Sequence, residues 1–225
     1  MSNNEKIGIG IIGAGAMNRS TIGKLLKQSD RFEVRGLFDP AASSIEAIRG
    51  KLPNDPVVYD DYRKLVRARN IDWVMIASWN CFHKEQTMAA FKAGKDVFCQ
   101  KPLATSLADA TAMCRAWRMS GRQFAIGFTL RYSPHYRRIR ELLDQGAIGR
   151  IVSLEFNETL EFNHGGYIMG DWRRLKANAG THLLEKCCHD IDLVNWFVGA
   201  RASRVASFGG LTIFRPENAG FMERL

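Results

Sequence analysis

The chain has 225 residues, of which 46% are hydrophobic and 24% are charged, and its formal net charge is +9. This ordinary globular composition excludes collagen-like, coiled-coil and disordered chains, and no apolar run approaches the roughly 20 residues that a membrane span needs. The basic excess is spread along the chain, with one arginine-rich stretch at residues 115–140 that contains no acid. A solvated helix face beside an anionic ligand explains that stretch more simply than a nucleic-acid surface. We therefore expect neither nucleic acid nor membrane as a partner.

The five cysteines are scattered, odd in number and without a CxxC pair. This usage indicates reduced thiols rather than a disulfide framework. The first residues run into a strand-like segment without the apolar core of a secretory signal. We therefore expect a cytoplasmic protein.

Strand-like and helix-like segments alternate through the first half of the chain. The predicted strands cover residues 6–12, 32–38, 57–59, 72–77, 96–99 and 123–128. The predicted helices follow the first strand to about Gln28, open at Pro40, and cover 60–68, 83–93 and 107–120. This repetition predicts an α/β fold, a doubly wound parallel sheet of the Rossmann type, over residues 1–128.

The pattern changes after about residue 130. The sequence predicts a helix over 135–145, a strand over 150–158, a glycine-containing loop at 163–166, an apolar-rich helix over 183–197 and a last strand over 203–208. These elements are typical of the beginning of an α+β domain. We expect residues 129–225 to form the beginning of a second domain.

A glycine-rich turn follows the first predicted strand. In Gly13-Ala14-Gly15-Ala16-Met17-Asn18, the first glycine permits a tight turn and the second allows a pyrophosphate to approach a helix N-terminus. Asn18 stands where the usual fingerprint has its third glycine. Asp39, at the end of the second strand, is placed to accept hydrogen bonds from ribose hydroxyls and to repel a 2′-phosphate. The pattern favours NAD, with NADP as the open alternative.

Two further segments carry side chains that are suited to catalysis. Lys101 lies just past the end of the fifth strand, at the sheet edge where ligands bind, although a solvated loop lysine would look the same. Glu185, His189 and Asp192 share one helix face, where a carboxylate can orient an imidazole. The alternative is that His189 is a structural residue whose hydrogen bonds are satisfied in the core of the second domain. Cys187 and Cys188 precede His189, but consecutive helix residues point apart and no second ligand cluster is present, so we predict no metal site.

The chain resembles the glucose–fructose oxidoreductase, inositol dehydrogenase and rhizopine-catabolism family (Gfo/Idh/MocA). The segments that carry the resemblance keep the family's order along the chain. They are the Gly13–Gly15 turn and residues 77–83, 94–102, 127–134, 171–173 and 184–196.

The resemblance implies hydride transfer between a nicotinamide cofactor and a secondary alcohol of a sugar, sugar derivative or cyclitol. It implies three catalytic residues: Lys101, His189 and Glu185. The implied cofactor contacts are Gly13, Gly15, Ala16, Met17, Asp39, Ser78, Asn80, His83, Gln100 and Lys101. The implied substrate contacts are Arg131, Trp172, Arg173, Glu185 and His189.

Three residues of this chain differ from those that the family usually has at the corresponding positions. Gln100 replaces a glutamate, Glu185 replaces an aspartate, and Trp79 replaces a proline close to where the nicotinamide would lie. We expect cofactor binding to tolerate all three.

The resemblance also bears on the rest of the molecule. In the family the second domain is a large open, mainly antiparallel sheet, so we expect a C-terminally truncated chain with an exposed sheet edge and a homo-oligomer formed through that sheet. An NAD-dependent glycosidase that works by transient oxidation is one alternative function. A non-catalytic nucleotide-binding protein is the other.

Overall fold

The computed structural model describes residues 6–160, 162–210, 212 and 215–224. Its centre is one sheet of six parallel strands in the order β3-β2-β1-β4-β5-β6. The strands are β1 Ile7–Ile12, β2 Phe32–Phe38, β3 Val57–Val58, β4 Trp73–Ile76, β5 Asp96–Cys99 and β6 Phe124–Ile126. The strand order reverses between β1 and β4, which is where ligands bind in sheets of this class. The predicted Rossmann-type sheet is confirmed.

The helices of the first half cover both faces of this sheet. They are α1 Ala16–Gln28, α2 Ala42–Arg49, α3 Tyr62–Arg67, α4 His83–Lys92 and α5 Leu107–Ser120. Successive strand residues point to opposite faces, so Ile9 and Ile11 pack with α1 and α2, whereas Ile12 packs with α3, α4 and α5. The two faces thus carry separate cores, and this fixes which loops meet at the carboxyl edge of the sheet.

The second half is mainly helical in the described residues. Its α-helices are α6 Pro134–Asp144, α7 Phe162–Met169, α8 Lys176–Ala179 and α9 His182–Val198, with a short 3₁₀ helix at Trp172–Arg174 and another at Pro216–Arg224. Helix α9 has Thr181 as its N-cap and ends at Gly199, which has a φ of +69°. The predicted helices over 135–145 and 183–197 are confirmed to within one residue.

The predicted loop at residues 163–166 is wrong, because this segment lies inside α7. Gly165 and Gly166 each disfavour a helix by about 1 kcal/mol relative to alanine. Helix formation nevertheless buries Ile168, which is 2% exposed. The contact of α7 with the Trp172–Arg174 turn outweighs the local preference of the glycines.

The two strands predicted for the second half are also absent. In the part of the chain that the structure describes, residues 150–158 and 203–208 are extended or irregular and join no hydrogen-bonded ladder. An alternating pattern makes a segment suitable for a sheet, but a strand forms only beside a partner strand. No such partner lies among the described residues, so the open antiparallel sheet stays a prediction.

Several arginines of the arginine-rich stretch form ion pairs with acidic residues of the same chain. Arg131 pairs with Asp192, and on α6 Arg138 pairs with Glu141 and Arg140 with Asp144. In the described ranges, no helix combines the length and the apolar character that crossing a bilayer requires.

Candidate active site

The turn between β1 and α1 is built by two glycines with different roles. Gly13 has a φ of +84°, and a Cβ on it would lie 2.6 Å from backbone atoms of Ala77 and Ser78. Only glycine allows this turn to lie against the end of β4. Gly15 precedes α1, and a Cβ on it would meet nothing within 4 Å. The space in front of the α1 N-terminus is therefore open and suits a pyrophosphate.

Two polar side chains hold this turn in place. Asp39 accepts the backbone N–H of Ala14 on Oδ2 at 2.7 Å and that of Ala41 on Oδ1 at 2.8 Å. Each oxygen keeps a lone pair for a ribose hydroxyl. Asn18 is fully buried, and its Nδ2 donates to the Gly13 carbonyl at 2.7 Å. Asn18 thus fixes the start of α1 by a hydrogen bond at the position where the fingerprint has a glycine.

A cavity of about 230 Å³ lies at the carboxyl edge of the sheet, below α7 and α9. The first half of the chain and the second both contribute to its wall. It is lined by Met17, Ala77, Ser78, Asn80, His83, Gln100, Lys101, Tyr167, Ile168, Trp172, Arg173, Glu185, Lys186 and His189. The structure thus brings together most of the residues that the sequence assigned to the cofactor and the substrate.

Glu185 is the buried carboxylate of this cavity. Its Oε2 accepts a hydrogen bond from Asn80 Nδ2 at 2.6 Å, and its Oε1 lies 3.5 Å from both Lys101 Nζ and Arg173 Nε. Lys101 Nζ also donates to the backbone carbonyl of Glu185 at 2.8 Å. One side chain of α9 is therefore bonded to the loop after β4, to the loop after β5 and to the Trp172–Arg174 turn.

His189 lies one turn further along α9. Its Nδ1 is buried and has no hydrogen-bond partner among the described residues. Burial, followed by the positive charges of Lys101 and Lys186, lowers the pKa of His189 to about 4. The imidazole is consequently neutral near pH 7 and able to accept a proton.

Asp192 does not orient His189, although the two share a face of α9. Its carboxylate accepts two hydrogen bonds from Arg131, each at 2.6 Å. Arg131 is thereby committed to α9 and does not line the cavity. Trp172 and Arg173, by contrast, do line it.

His83 joins the two loops that flank the cofactor side of the cavity. Its ring is fully buried, with Nδ1 2.9 Å from the Pro102 carbonyl oxygen and Nε2 3.2 Å from that of Ser78. Burial lowers the pKa of His83, so the ring is neutral and one nitrogen donates. His83 therefore keeps the Ser78 loop at a fixed distance from the loop that carries Lys101.

Gln100 lies beside Lys101 and is 5% exposed. A Cβ on Gly127 would lie 2.4 Å from Gln100 Oε1, so glycine at 127 makes room for the amide. The Nε2 of Gln100 has no hydrogen-bond partner in the described part of the chain. It is a free donor at the cavity wall.

Tyr167 and Lys186 line the cavity although the sequence did not single them out. Lys186 directly follows Glu185, and no feature of the sequence distinguished it as a cavity residue. Tyr167 lies in the segment that the two glycines made look like a loop.

The cysteines near the cavity are not arranged for catalysis. Burial raises the pKa of Cys188 to about 11, so its thiol stays protonated. Cys187, Glu158 and Asp190 offer ligand atoms within 4.8 Å of one another. However, Lys186 Nζ lies 2.5 Å from Glu158 Oε1 and already compensates that acidic charge.

The chain is similar to known proteins in both sequence and fold. Residues 7–128 match the model of an oxidoreductase family described as an NAD-binding Rossmann fold, GFO_IDH_MocA, and residues 136–220 match the GFO/IDH/MocA C-terminal domain. Inositol 2-dehydrogenase of Gluconacetobacter diazotrophicus is 29% identical over 195 residues, which are 85% of this chain and 54% of that protein.

Two solved structures have a similar fold. Scyllo-inositol dehydrogenase from Lactobacillus casei, with bound NAD(H) and scyllo-inositol, superposes with a TM-score of 0.74 at 25% identity, over 87% of this chain and 57% of that one. Myo-inositol 2-dehydrogenase from Lactobacillus plantarum gives 0.73, also at 25% identity and over the same shares. The chain spans about half the length of the relatives that it matches.

Proposed function

Because this chain belongs to the Gfo/Idh/MocA oxidoreductase family, we propose that it binds NAD and transfers a hydride between the nicotinamide and a secondary alcohol of a sugar, sugar derivative or cyclitol. One observation carries this proposal. A single cavity joins Lys101, Glu185 and His189 to the end of the Rossmann sheet where a dinucleotide binds.

The residues of the first half fit a dinucleotide. The open space at Gly15 takes the pyrophosphate, and the remaining lone pairs of Asp39 accept the ribose hydroxyls. A 2′-phosphate would approach the Asp39 carboxylate, and this like-charge contact favours NAD over NADP. When bound, NAD supplies the hydride-accepting ring, and the chain supplies orientation and proton transfer.

Lys101 and His189 divide the remaining chemistry between them. In the oxidation direction, the neutral imidazole of His189 accepts the proton of the substrate hydroxyl as a general base. The Lys101 ammonium, held by the Glu185 carbonyl, keeps donors for the same substrate oxygen and stabilises its developing negative charge.

Glu185 acts as a positioning residue and contacts the substrate in this scheme. Its carboxylate holds Asn80 on the cofactor side and neutralises part of the charge of Lys101 and Arg173.

The test compares the wild-type chain with Lys101→Ala and His189→Ala. NADH binding, followed by its fluorescence, is expected to change by less than about twofold, because neither side chain lies at the pyrophosphate end. NAD reduction over a panel of polyols and sugars is expected to fall by about 10²–10⁴-fold, the range for loss of a general base. Near-wild-type turnover in either variant would overturn its catalytic role.

The same assay addresses the glycosidase alternative. A glycosidase would cleave aryl glycosides with catalytic NAD, whereas a dehydrogenase consumes NAD stoichiometrically with free sugars. Release of the aryl group without net NADH formation would favour the glycosidase.

Several parts of the proposal concern the whole protein. We propose that residues 129–225 contribute to a substrate domain with an open, mainly antiparallel sheet, and that the protein is a cytoplasmic homo-oligomer. Arg131 supports the cavity from outside, by holding α9 through Asp192. A direct contact of Arg131 with the substrate, as the resemblance implied, requires this ion pair to open.

A further inference from the structure

Three aromatic side chains form one stacked surface at the edge of the cavity. The ring centres of Trp79 and Trp172 are 5.3 Å apart and their planes are inclined by 14°. Those of Trp79 and Phe82 are 6.2 Å apart, with planes inclined by 26°. Both separations lie in the range of offset aromatic stacking. We call Trp79, Phe82 and Trp172 the aromatic platform.

The aromatic platform begins at the cavity wall and continues into solvent. Trp172 lines the cavity, whereas Trp79 and Phe82 do not. In spite of their mutual stacking, Trp79 is 43% exposed and Phe82 is 42% exposed. Adjoining exposed apolar side chains at the edge of a ligand cavity mark a binding surface more often than isolated ones do. The aromatic platform is therefore the surface that a ligand contacts where it leaves the cavity past Trp172.

The cavity itself has room for little more than one sugar ring. Its volume is about 230 Å³, whereas pockets that enclose a whole drug-sized ligand measure roughly 300–1,000 Å³. In the proposed function the nicotinamide shares this space, because Ser78, Asn80 and Gln100 are cofactor residues that line it. A substrate with a second ring would consequently extend beyond the wall, from Trp172 toward Trp79.

The indole of Trp79 is not required by the backbone of its loop. Trp79 has φ −63° and ψ 145°, and this φ is the one to which proline is restricted. Proline is also the residue that the family usually has at this position. The turn would thus form without a tryptophan, and half of the indole surface is not used for packing. What Trp79 adds is an exposed aromatic face next to the substrate cavity.

We propose that the substrate of this site is a disaccharide or longer glycoside, with the ring to be oxidised in the cavity and the next sugar ring stacked on Trp79. This inference rests on the proposed function, because it assumes that the cavity takes the sugar that gives up the hydride. A pyranose has an apolar C–H face and a polar rim, so it covers an indole while its hydroxyls stay in water. The glycosidic bond is not broken.

The test uses matched pairs that differ in the second ring: methyl β-cellobioside against methyl β-D-glucoside, methyl α-maltoside against methyl α-D-glucoside, and methyl β-lactoside against methyl β-D-galactoside. NAD reduction by the full 225-residue chain gives kcat/KM, and calorimetric titration in the presence of NADH gives Kd. The wild-type chain is expected to favour the disaccharide in at least one pair by about three- to tenfold, the range for one aromatic stacking contact.

Trp79→Pro removes the ring and suits the backbone, and it is expected to bring the ratio of the two kcat/KM values of that pair to about 1, because the stacking contact is lost. Any effect on the cavity or on the cofactor acts on both compounds and cancels in this ratio. Trp79→Phe keeps a smaller aromatic face and is expected to keep part of the preference. Tyr132→Ala is the matched control, since this aromatic residue is 76% exposed and does not line the cavity. It is expected to keep the wild-type ratio.

A ratio of about 1 in every pair for the wild-type chain would overturn the inference, as would a disaccharide preference that survives in Trp79→Pro. Absence of saturable binding by all three disaccharides would do the same. Oxidation of sugars or methyl glycosides without a disaccharide preference would leave the proposed dehydrogenase standing. Failure to bind NADH at all would instead count against the proposed function. Circular dichroism of each variant shows whether it is folded, and Trp79→Phe serves where Trp79→Pro is not.

Discussion

At the scale of single residues, the site depends on how buried charges share a few partners. The positions of Gly13, Gly15 and Lys101 at the carboxyl edge of the sheet could be predicted because each follows a strand of fixed position in the sheet. The pairing of Asp192 with Arg131 could not, because the two are 61 residues apart and nothing in the local pattern links them. Asp39 is intermediate: its place was predictable, but its hydrogen bonds to Ala14 and Ala41 depend on the loop conformation.

Glu185→Gln keeps the shape of the side chain and removes the negative charge between Lys101 and Arg173. We expect unfolding free energy to fall by about 1–3 kcal/mol, because two mostly buried cations lose the carboxylate that they share. Thermal denaturation should show a decrease of several degrees. Glu141→Gln is the control, since this glutamate is in an exposed pair with Arg138 on α6 and is expected to contribute little. Equal effects of the two substitutions would contradict a structural role for Glu185.

The pKa of His189 predicts how both activity and stability depend on pH. Because burial and nearby positive charges lower the folded-state pKa to about 4 from the 6.5 of a free imidazole, His189 is available as a base above about pH 4. The associated stability is fully present above pH 6.5 and is lost as the pH falls toward 4, since the unfolded chain binds the proton first. NMR titration of the imidazole measures this pKa, and the His189→Asn variant assigns the signal.

Lys186→Gln removes one nearby cation and is expected to raise the pKa of His189. An unchanged pKa in this variant would contradict the electrostatic cause.

At the scale of elements, the first half was predictable because each strand is a short apolar run with its partner a few elements away. The strand β5 and the helix α5 were predicted with their observed bounds. The second half was less predictable because its elements depend on contacts that the local pattern does not contain. Residues 150–158 have strand periodicity without a neighbouring strand, and α7 forms in spite of its glycines because Ile168 becomes buried.

Gly165→Ala is expected to stabilise α7. A Cβ on Gly165 meets nothing within 4 Å and its φ is not positive, so alanine costs no strain and restricts the unfolded chain. The expected gain is about 0.4–1 kcal/mol, seen as a rise in the thermal midpoint. Gly180→Ala is the opposite control, because Gly180 has a φ of +85° and a Cβ there would lie 2.7 Å from Leu184 Cδ2. A loss of stability in Gly165→Ala would mean that residues 162–169 are not helical.

At the scale of the whole molecule, the two halves differ in how well their extended segments are covered by other elements. The sheet of the first half is covered by helices on both faces, whereas the second half has extended segments that carry exposed apolar side chains. Val152, Val205 and Phe208 are 85%, 84% and 97% exposed. They lie in the two extended segments that join no ladder among the described residues. Unpaired extended backbone beside exposed apolar side chains favours pairing between chains.

We therefore expect the 225-residue chain to self-associate as its concentration rises, in sedimentation velocity or light scattering. The double variant Val205→Lys/Phe208→Lys places charge on one extended segment and should shift association to about tenfold higher concentration or beyond, since charged side chains oppose edge pairing. NADH affinity should be unchanged, because neither residue lines the cavity. Leu107→Lys is the matched control: Leu107 is 84% exposed at the start of α5 but belongs to no extended segment. A wild-type chain that stays monomeric at all concentrations, or an equal effect of Leu107→Lys, would show that the extended segments do not drive association.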